Sequence, residues 1–200
     1  MISPIHKGGS RVDPGRYRPV ALTSHIIKVF ERVLRKALVT HLEGLDLIPN
    51  SQHGFRAQRS TLTQLLAYWD NVLECLEKGE TVDVIYTDFS KAFDSVPHER
   101  LFLKLEAMGI KGDVLYWIKS FLRGRTQCVN VDGTKSTWRD VLSGIPQGSV
   151  IGPILFVIFI NDMPSEVKHN FCKLFADDCK LYGNVKLDEE NSMQLDASKR

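Results

Sequence analysis

Two neighbouring acidic residues between two short apolar runs constrain this 200-residue chain more than any other feature. Asp177 and Asp178 follow Phe175 and Ala176, and residues on both sides are of the types that favour β-strands. The pattern predicts a tight β-hairpin with both carboxylates at its tip. Because adjacent carboxylates repel each other and are costly to bury beside apolar side chains, a bound divalent cation would stabilise them there.

Another acidic residue ends a β-rich run far upstream. Residues 82–88 are rich in Val, Ile, Tyr and Thr, and the run finishes at Asp88. Such residues favour a strand. Two acidic sites carried by strands predict one metal site assembled from distant parts of the chain.

The charge distribution indicates a polyanionic partner. Residues 1–60 contain ten Lys or Arg residues against four Asp or Glu residues, although the formal net charge of the whole chain is only +2. A basic N-terminal third beside an acidic remainder fits a nucleic acid and a metal site, and the alternative is chance asymmetry on a solvated face. The 43% hydrophobic and 25% charged content is ordinary for a globular protein.

Cysteine usage and hydropathy indicate an intracellular protein. The four cysteines form no C-x-x-C pair and have no histidine at zinc-ligand spacing, as expected of reduced thiols. The N-terminus does not resemble a secretory signal. The apolar run 150–160 is too short to span a bilayer and predicts a buried helix.

Turn signals and hydrophobic periodicity predict an alternation of helices and strands. Residues 1–18 are rich in Pro, Gly and Arg and predict an exposed basic loop. Amphipathic helices are predicted over 24–42 and 60–76, the second with its leucines, Trp69 and Val72 facing inward. Further helices are predicted over 97–108 and 113–122. Strands at 126–131 and 137–142 are predicted to join through a hairpin at Asp132-Gly133.

A glycine-punctuated turn at residues 143–149 opens onto a predicted helix over 150–161. Backbone N–H groups at the start of such a helix favour a nearby anion.

Five motifs stand in an order that resembles the reverse transcriptases. Residues 175–178 (F-A-D-D) resemble the Y/F-x-D-D motif, residues 88–94 (D-F-S-K-A-F-D) the first palm motif, and residues 143–149 (S-G-I-P-Q-G-S) the P-Q-G motif. Residues 18–22 (R-P-V-A-L) and 54–56 (G-F-R) resemble motifs of the fingers. The versions here are most similar to non-LTR (LINE-type) retrotransposons of the jockey-like group, and the likeness covers nearly all of residues 2–185.

This resemblance implies an α+β fold, namely the fingers and palm of a right-hand polymerase without the thumb. The palm would be an antiparallel sheet with packed helices. Residues 1–80 would form the fingers region and residues 81–185 the palm with the catalytic motifs, with fingers elements partly interleaved. Residues 186–200 would be the truncated start of the next palm element.

The implied activity is that of an RNA-directed DNA polymerase, which transfers a nucleotide from a dNTP to a primer 3′-hydroxyl. Asp88, Asp177 and Asp178 would be the catalytic residues and would hold two Mg²⁺ ions, with Mn²⁺ as a substitute. The implied partners are an RNA template, a DNA primer and dNTPs, with no membrane. The implied location is nuclear.

The resemblance also implies roles in substrate binding. Lys7 and Arg18 match finger positions that bind the incoming triphosphate. Phe93 matches an aromatic steric gate against the 2′-hydroxyl, for which ordinary packing is the alternative. The implied dNTP-binding set is Lys7, Arg18, Phe89, Phe93, Gln147 and Gly148, and the implied nucleic-acid-binding pair is Phe55 and Arg56. Asp94 is expected to fix the following turn rather than bind metal.

Two further hypotheses stay open on sequence alone. A truncated, catalytically inactive remnant would bind RNA in a salt-sensitive way without turning over dNTPs. Another palm-fold polymerase, such as a viral RNA replicase, would accept ribonucleotides, and Phe93 argues against that reading.

Overall fold

The structure, a computed structural model, describes residues 1–185, so the predicted palm element at 186–200 lies outside the described residues. The chain divides into two compact units, each made of two stretches. The first unit contains Met1–His41 and Lys91–Ile158, and the second contains Leu42–Ser90 and the chain from Phe159 onward. The boundary near residue 80 between fingers and palm stays a prediction.

In chain order the elements are β1 (Ile2–His6), β2 (Tyr17–Ala21), α1 (His25–Gly44), α2 (Thr61–Glu77), β3 (Thr81–Asp88), α3 (His98–Ala107), α4 (Gly112–Leu122), β4 (Thr126–Gln127), β5 (Asn130–Val131), β6 (Thr134–Lys135), β7 (Arg139–Asp140), α5 (Gly152–Phe159), α6 (Met163–Glu166), β8 (Phe171–Phe175) and β9 (Asp178–Val185). No helix within residues 1–185 is long and apolar enough to cross a membrane.

Strands β1 and β2 form an antiparallel pair at the start of the first unit, where an exposed loop was predicted. Ile2 pairs with Ala21, and Pro4 lies opposite Pro19. The two strands were not predicted because proline weakens the sequence signal of a strand, whereas two prolines that face each other need no N–H donor. The basic residues of the segment are exposed, as predicted. A single helical turn, Pro14–Arg16, precedes β2.

Helices α3, α4 and α5 supply most of the core of the first unit. Leu101, Leu105, Ile118 and Leu122 are fully buried on α3 and α4, which contact each other. The apolar run at 150–160 forms α5 and is buried along nearly its whole length. The prediction of a buried helix is therefore confirmed, although the helix is shorter at both ends than the predicted range 150–161.

The Asp132-Gly133 hairpin of the first unit is also confirmed. Asp132 has φ 49° and Gly133 has φ 85°, and β5 pairs with β6 across them. Two positive φ angles define the type I′ turn that matches the twist of a hairpin. The strands are shorter than predicted, because β4 and β7 form a separate two-residue ladder.

The second unit is built on a three-stranded antiparallel sheet in the order β3-β9-β8. Helix α2 contributes Tyr68 and Val72 to a buried cluster with Tyr182 of β9. The Tyr182 hydroxyl donates a hydrogen bond of 2.7 Å to Asn71 Oδ1. Burial in this cluster raises the pKa of Tyr182.

The face of α2 that is buried differs from the predicted one. Leu62, Leu66 and Trp69 were expected to face inward but are 62%, 55% and 47% exposed. The buried positions are Gln64, Tyr68, Val72 and Cys75. Because α2 has apolar residues on both sides, its periodicity predicts a helix correctly but does not decide which side is covered.

Candidate active site

The strand register of the second unit places two of the predicted acidic residues opposite each other. Asp88, the last residue of β3, pairs with Asp178, the first residue of β9. Their Cα atoms are therefore about 5 Å apart, as in any antiparallel pair. Both side chains are exposed, and the neighbouring Asp177 is half-buried. The structure thus brings Asp88, Asp177 and Asp178 to one end of one sheet.

The predicted hairpin is confirmed, with Ala176 and Asp177 in its turn, but Asp178 is the first residue of β9 rather than part of the tip. Phe175 pairs with Asp178 across this turn. Ala176 has φ 56°, a left-handed conformation that is strained for a residue with a side chain. Its N–H donates a hydrogen bond of 3.1 Å to the side chain of Gln52.

The donor set at this end of the sheet fits a divalent cation. Within residues 1–185, no three carboxylate, imidazole or thiol groups cluster closely enough to form a ready metal site. Carboxylate oxygens alone, on backbone positions fixed by strand register, are the ligands that hard divalent ions prefer.

An open groove of ≈ 440 Å³ runs beside these acids in the second unit. Asp88, Asp178, Phe175, Tyr86 and Lys180 contribute to its lining. The Lys180 ammonium lies 5.7 Å from the centre of the Tyr86 ring. The groove therefore combines acidic groups, one cation and aromatic surface.

The P-Q-G turn of the first unit packs against strand β2. Ala21 N–H donates a hydrogen bond of 2.7 Å to the carbonyl of Gln147. Gly148 has φ 96°, and a Cβ there would lie 3.2 Å from the carbonyl oxygen of Ala21. The structure thus brings Gln147 and Gly148 to the strand that carries Arg18.

Phe93 and Asp94 join the same turn from the other side. Ile145 N–H donates to the Phe93 carbonyl at 2.8 Å, and the Phe93 ring stacks on Phe156 with centroids 4.6 Å apart. Asp94 accepts a long hydrogen bond of 3.3 Å from Gln147 Nε2. This contact joins Asp94 to the P-Q-G turn, so its expected role in fixing the turn that directly follows it stays a prediction.

The two basic residues predicted to bind triphosphate lie near the β1–β2 pair. Arg18 is exposed on β2 opposite Ile5. Lys7 follows β1 and is exposed, and its N–H donates to the Arg16 carbonyl at 2.8 Å. Phe89 directly follows β3 in the second unit and is half-buried.

A carboxylate of the protein itself lies at the start of α5. Glu31 is fully buried, and its Oε2 accepts hydrogen bonds from Val150 N–H (2.5 Å) and Ile151 N–H (3.1 Å). Gly152 N–H donates to Ser149 Oγ at 2.7 Å. The anion expected at this helix start is therefore a buried side chain from α1.

Arg56 is bound tightly within the second unit. Its guanidinium donates to both carboxylate oxygens of Glu43, at 2.9 and 2.6 Å, and to the carbonyls of Ile48 and Pro49. This hydrogen bonding lowers the pKa of Glu43. The structure gives Arg56 a packing role, so its contact with nucleic acid stays a prediction. Phe55 next to it is partly exposed and has φ 59°.

The sequence matches the family profile described as "Reverse transcriptase (RNA-dependent DNA polymerase)" over residues 5–195. The chain belongs to the reverse transcriptase family. Members of this family generally use divalent metal ions, which agrees with the all-carboxylate donor set of Asp88, Asp177 and Asp178.

Several curated relatives of the chain are RNA-directed DNA polymerases of non-LTR retrotransposons. The chain is 36% identical over 188 residues to the "Probable RNA-directed DNA polymerase from transposon X-element" of Drosophila melanogaster, covering 91% of the chain and 21% of the relative. It is 38% identical over 162 residues to the "RNA-directed DNA polymerase from mobile element jockey" of the same species, covering 80% and 18%. The chain spans about a fifth of the length of these relatives.

Solved structures confirm the fold of this reverse transcriptase. An apo telomerase from Candida tropicalis, truncated from its C-terminal domain, aligns with a TM-score of 0.62 at 13% identity, over 91% of the chain and 44% of the telomerase. The telomerase of the same species in complex with a fragment of telomeric RNA aligns with a TM-score of 0.65 over 92% and 38%. The predicted α+β fingers-and-palm class is confirmed.

Sequence reasoning missed two buried polar residues of this site, Gln52 and Glu31. Each accepts two backbone hydrogen bonds beside a functional motif. No local pattern marks them, because Gln and Glu are mostly exposed residue types and their neighbours in the sequence do not indicate burial.

Proposed function

We propose that the chain performs RNA-directed DNA polymerisation, in which a nucleotide is transferred from a dNTP to the 3′-hydroxyl of a DNA primer on an RNA template. The observation that carries the proposal is the register of β3 with β9, which places Asp88 opposite Asp178 beside Asp177. Family membership and the similarity to transposon-encoded RNA-directed DNA polymerases support it.

Asp88, Asp177 and Asp178 would hold the divalent ions, for which Mg²⁺ is proposed and Mn²⁺ is a substitute. Such ions would supply activation of the attacking hydroxyl and charge stabilisation for the leaving pyrophosphate. Carboxylates on neighbouring strands suit this task because the sheet fixes their spacing before any ligand arrives.

The first unit supplies the proposed contacts to the nucleotide. Arg18 and Lys7 are exposed cations and bind the triphosphate oxygens. Gln147 and Gly148 are proposed to line the nucleotide pocket and to touch the template. Phe93, held by stacking on Phe156, excludes a 2′-hydroxyl and so selects dNTPs over NTPs. Phe89 is proposed to add to this set from the end of β3.

The nucleic acid is the second proposed ligand. Phe55, partly exposed, is proposed to stack on a template base, and Arg56 to contribute charge next to it. The nuclear location stays a prediction, which imaging of a tagged chain in living cells would test.

Primer extension on poly(rA)/oligo(dT) with Mg²⁺ tests the proposed function, with the 200-residue chain as the enzyme. We expect dTMP incorporation by the wild type and none by Asp177→Ala. Asp83→Ala is the matched control, because Asp83 is an exposed acid on the same strand as Asp88 and pairs with Gly183. Folding of each variant is checked by circular dichroism.

Incorporation that persists in Asp177→Ala would overturn the assignment of the acids. No incorporation by a folded wild-type chain would overturn the activity proposed for this chain. Equal loss in Asp83→Ala would indicate a general effect of the strand rather than of the metal site.

A further inference from the structure

The turn that carries the predicted metal ligands has an unfavourable backbone conformation. Ala176 has φ 56° and is buried. A left-handed residue with a Cβ costs on the order of 1 kcal/mol and persists only where surrounding contacts hold it. Asp177 and Asp178 follow immediately, so whatever holds Ala176 also sets the direction of both carboxylates.

A buried side chain from a distant part of the second unit contacts this turn. Gln52 is 1% exposed, and its Oε1 accepts hydrogen bonds from Ala176 N–H (3.1 Å) and Gly54 N–H (2.7 Å). Because two N–H donors meet this atom, it is the oxygen of the amide. The Nε2 atom has no hydrogen-bond partner among residues 1–185. The oxygen is therefore the functional half of the side chain.

The backbone of the same segment is joined to the strand that leads into the turn. Leu174 N–H donates to the Ser51 carbonyl at 2.8 Å, and His53 N–H donates to the Leu174 carbonyl at 2.9 Å. Gln52 thus pairs with β8 through the backbone of its neighbours and with the turn through its side chain. The two attachments fix the turn relative to its own strand.

Gly54 allows this segment to pass directly behind the turn. A Cβ at Gly54 would lie 2.3 Å from Ala176 N and 3.0 Å from the carbonyl carbon of Phe175. Both are backbone atoms, so no side-chain rotation relieves the overlap. Any residue other than glycine at position 54 must displace the turn.

We propose that Gln52 is a positioning residue for the acid-bearing turn, and that Gly54 is required for its approach. The Gln52 oxygen holds Ala176 in its left-handed conformation and thereby orients the carboxylates of Asp177 and Asp178 for the divalent ions. The claim that Gln52 affects metal binding rests on the proposed function. The claim that Gln52 holds the conformation of Ala176 does not.

Two substitutions separate the oxygen from the rest of the side chain. Gln52→Leu keeps a similar volume and removes the acceptor. Gln52→Glu keeps an acceptor oxygen whether the carboxyl group is ionised or protonated, and it replaces only the Nε2 atom. The matched control for Gln52→Leu is Gln127→Leu, at an exposed position of β4. The matched control for Gly54→Ala is Gly44→Ala, where an added Cβ meets nothing within 4 Å.

Amide hydrogen exchange reads the two hydrogen bonds directly. In Gln52→Leu we expect protection of Gly54 and Ala176 N–H to fall about tenfold or more, while the amides of β3 and β9 keep theirs. Gln52→Glu is expected to restore protection at both amides. Gly54→Ala is expected to remove it at Ala176, and Gln127→Leu and Gly44→Ala to leave it unchanged.

Mn²⁺ titration and primer extension measure how the loss of the Gln52 oxygen affects metal binding and catalysis by Asp177 and Asp178. Gln52→Leu is expected to raise the Mn²⁺ Kd and lower kcat by about 10- to 100-fold, as for other residues behind metal ligands. The KM for primer–template is expected to stay unchanged, and Gln52→Glu to recover both values. If Gln52 only stabilised the fold, Gln52→Leu would lower the thermal midpoint of unfolding but would not lower kcat at an unchanged KM.

Unchanged protection in Gln52→Leu, or equal damage in Gln52→Glu, would overturn the proposal. Lost protection with unchanged Mn²⁺ affinity would overturn the role in orienting the acids. If the wild type neither binds Mn²⁺ nor incorporates dNTPs, the proposed function fails, and exchange at Gly54 and Ala176 still decides whether Gln52 holds the turn.

Discussion

The acid-bearing turn of the second unit and the P-Q-G turn of the first unit are held in opposite ways. The P-Q-G turn places glycines at its positive φ angles, Gly144 at 87° and Gly148 at 96°, so its conformation is encoded where it occurs. The acid-bearing turn places Ala176 at 56° and relies on the remote side chain of Gln52. The glycines that hold the P-Q-G turn can be recognised in its own sequence, whereas the residue that holds the acid-bearing turn lies in another segment and cannot.

The segment behind the acid-bearing turn, residues 51–56, is itself fixed by buried polar groups. Gln52 and His53 are each 1% exposed, and the Arg56 side chain is 7% exposed. If a hydrogen-bonding group of one of these side chains is removed, its buried partner atom loses a hydrogen bond that water cannot replace. We therefore expect this region to be more sensitive to polar substitutions, and the P-Q-G turn to be more sensitive to added volume.

Arg56→Ala is expected to have the largest effect on stability. It leaves Glu43 and the carbonyls of Ile48 and Pro49 without their donor and should lower the free energy of unfolding by about 3 kcal/mol. Arg59→Ala is the control, because Arg59 makes one side-chain hydrogen bond, to Asn50 Oδ1, and should cost about 1 kcal/mol or less.

Urea denaturation measures both values. A stable Arg56→Ala chain that has lost RNA binding would contradict the packing role of Arg56 and favour the predicted contact with nucleic acid.

Gly144→Ala tests the P-Q-G turn. A Cβ there would lie 2.6 Å from the Asp94 carbonyl oxygen, at a backbone conformation that alanine disfavours. Gly133→Ala has a similar φ of 85° and nothing within 4 Å, so it isolates the conformational cost of about 1 kcal/mol. We expect Gly144→Ala to cost about 2 kcal/mol more than Gly133→Ala in the same denaturation experiment. Equal costs would show that the close approach to Asp94 contributes nothing.

A smaller effect is expected from pH, through His53. Burial and the nearby Arg59 and Lys173 lower the pKa of His53 from 6.5 to about 4. Thr63 Oγ1 already donates to the Ser60 carbonyl, so His53 Nδ1 donates to Thr63 Oγ1 and Nε2 carries no proton. Between pH 4 and 6.5 the unfolded chain binds more protons than the folded chain, so stability falls as the pH is lowered through this window.

The contribution of His53 to the change in the free energy of unfolding with pH is at most about 1.4 kcal/mol per pH unit. His53→Asn keeps a donor toward Thr63 and removes the titrating group, so its stability should vary less between pH 6.5 and 4. Denaturation at several pH values measures the difference. If the free energy of unfolding changes equally with pH in the wild type and in His53→Asn, then titration of His53 does not contribute to the pH dependence.

The parts of the fold that local patterns encode were predicted correctly. Strand β3, the two-residue turn before Asp178 and the Asp132-Gly133 hairpin follow from β-branched runs and turn residues. The order of five motifs implied the family. The acids came together as predicted because strand register, set by alternation of buried and exposed residues, leaves Asp88 opposite Asp178.

Other features depend on contacts that no local pattern contains. The buried side of α2 was mispredicted because both sides of the helix are apolar, and its packing against Tyr182 decides between them. Gln52 and Glu31 look like surface residues in the sequence and are buried only because distant backbone N–H groups need acceptors there. These residues become visible only when the hydrogen bonds of each functional turn are followed to their partners.

The most direct test of the central claim is to locate divalent ions in the chain. Crystals grown with Mn²⁺ and a dNTP would show the ions by anomalous scattering. We expect Mn²⁺ to be bound by the carboxylates of Asp88, Asp177 and Asp178 at the end of the β3-β9-β8 sheet. Mn²⁺ bound only elsewhere, or not at these three acids, would contradict the claim.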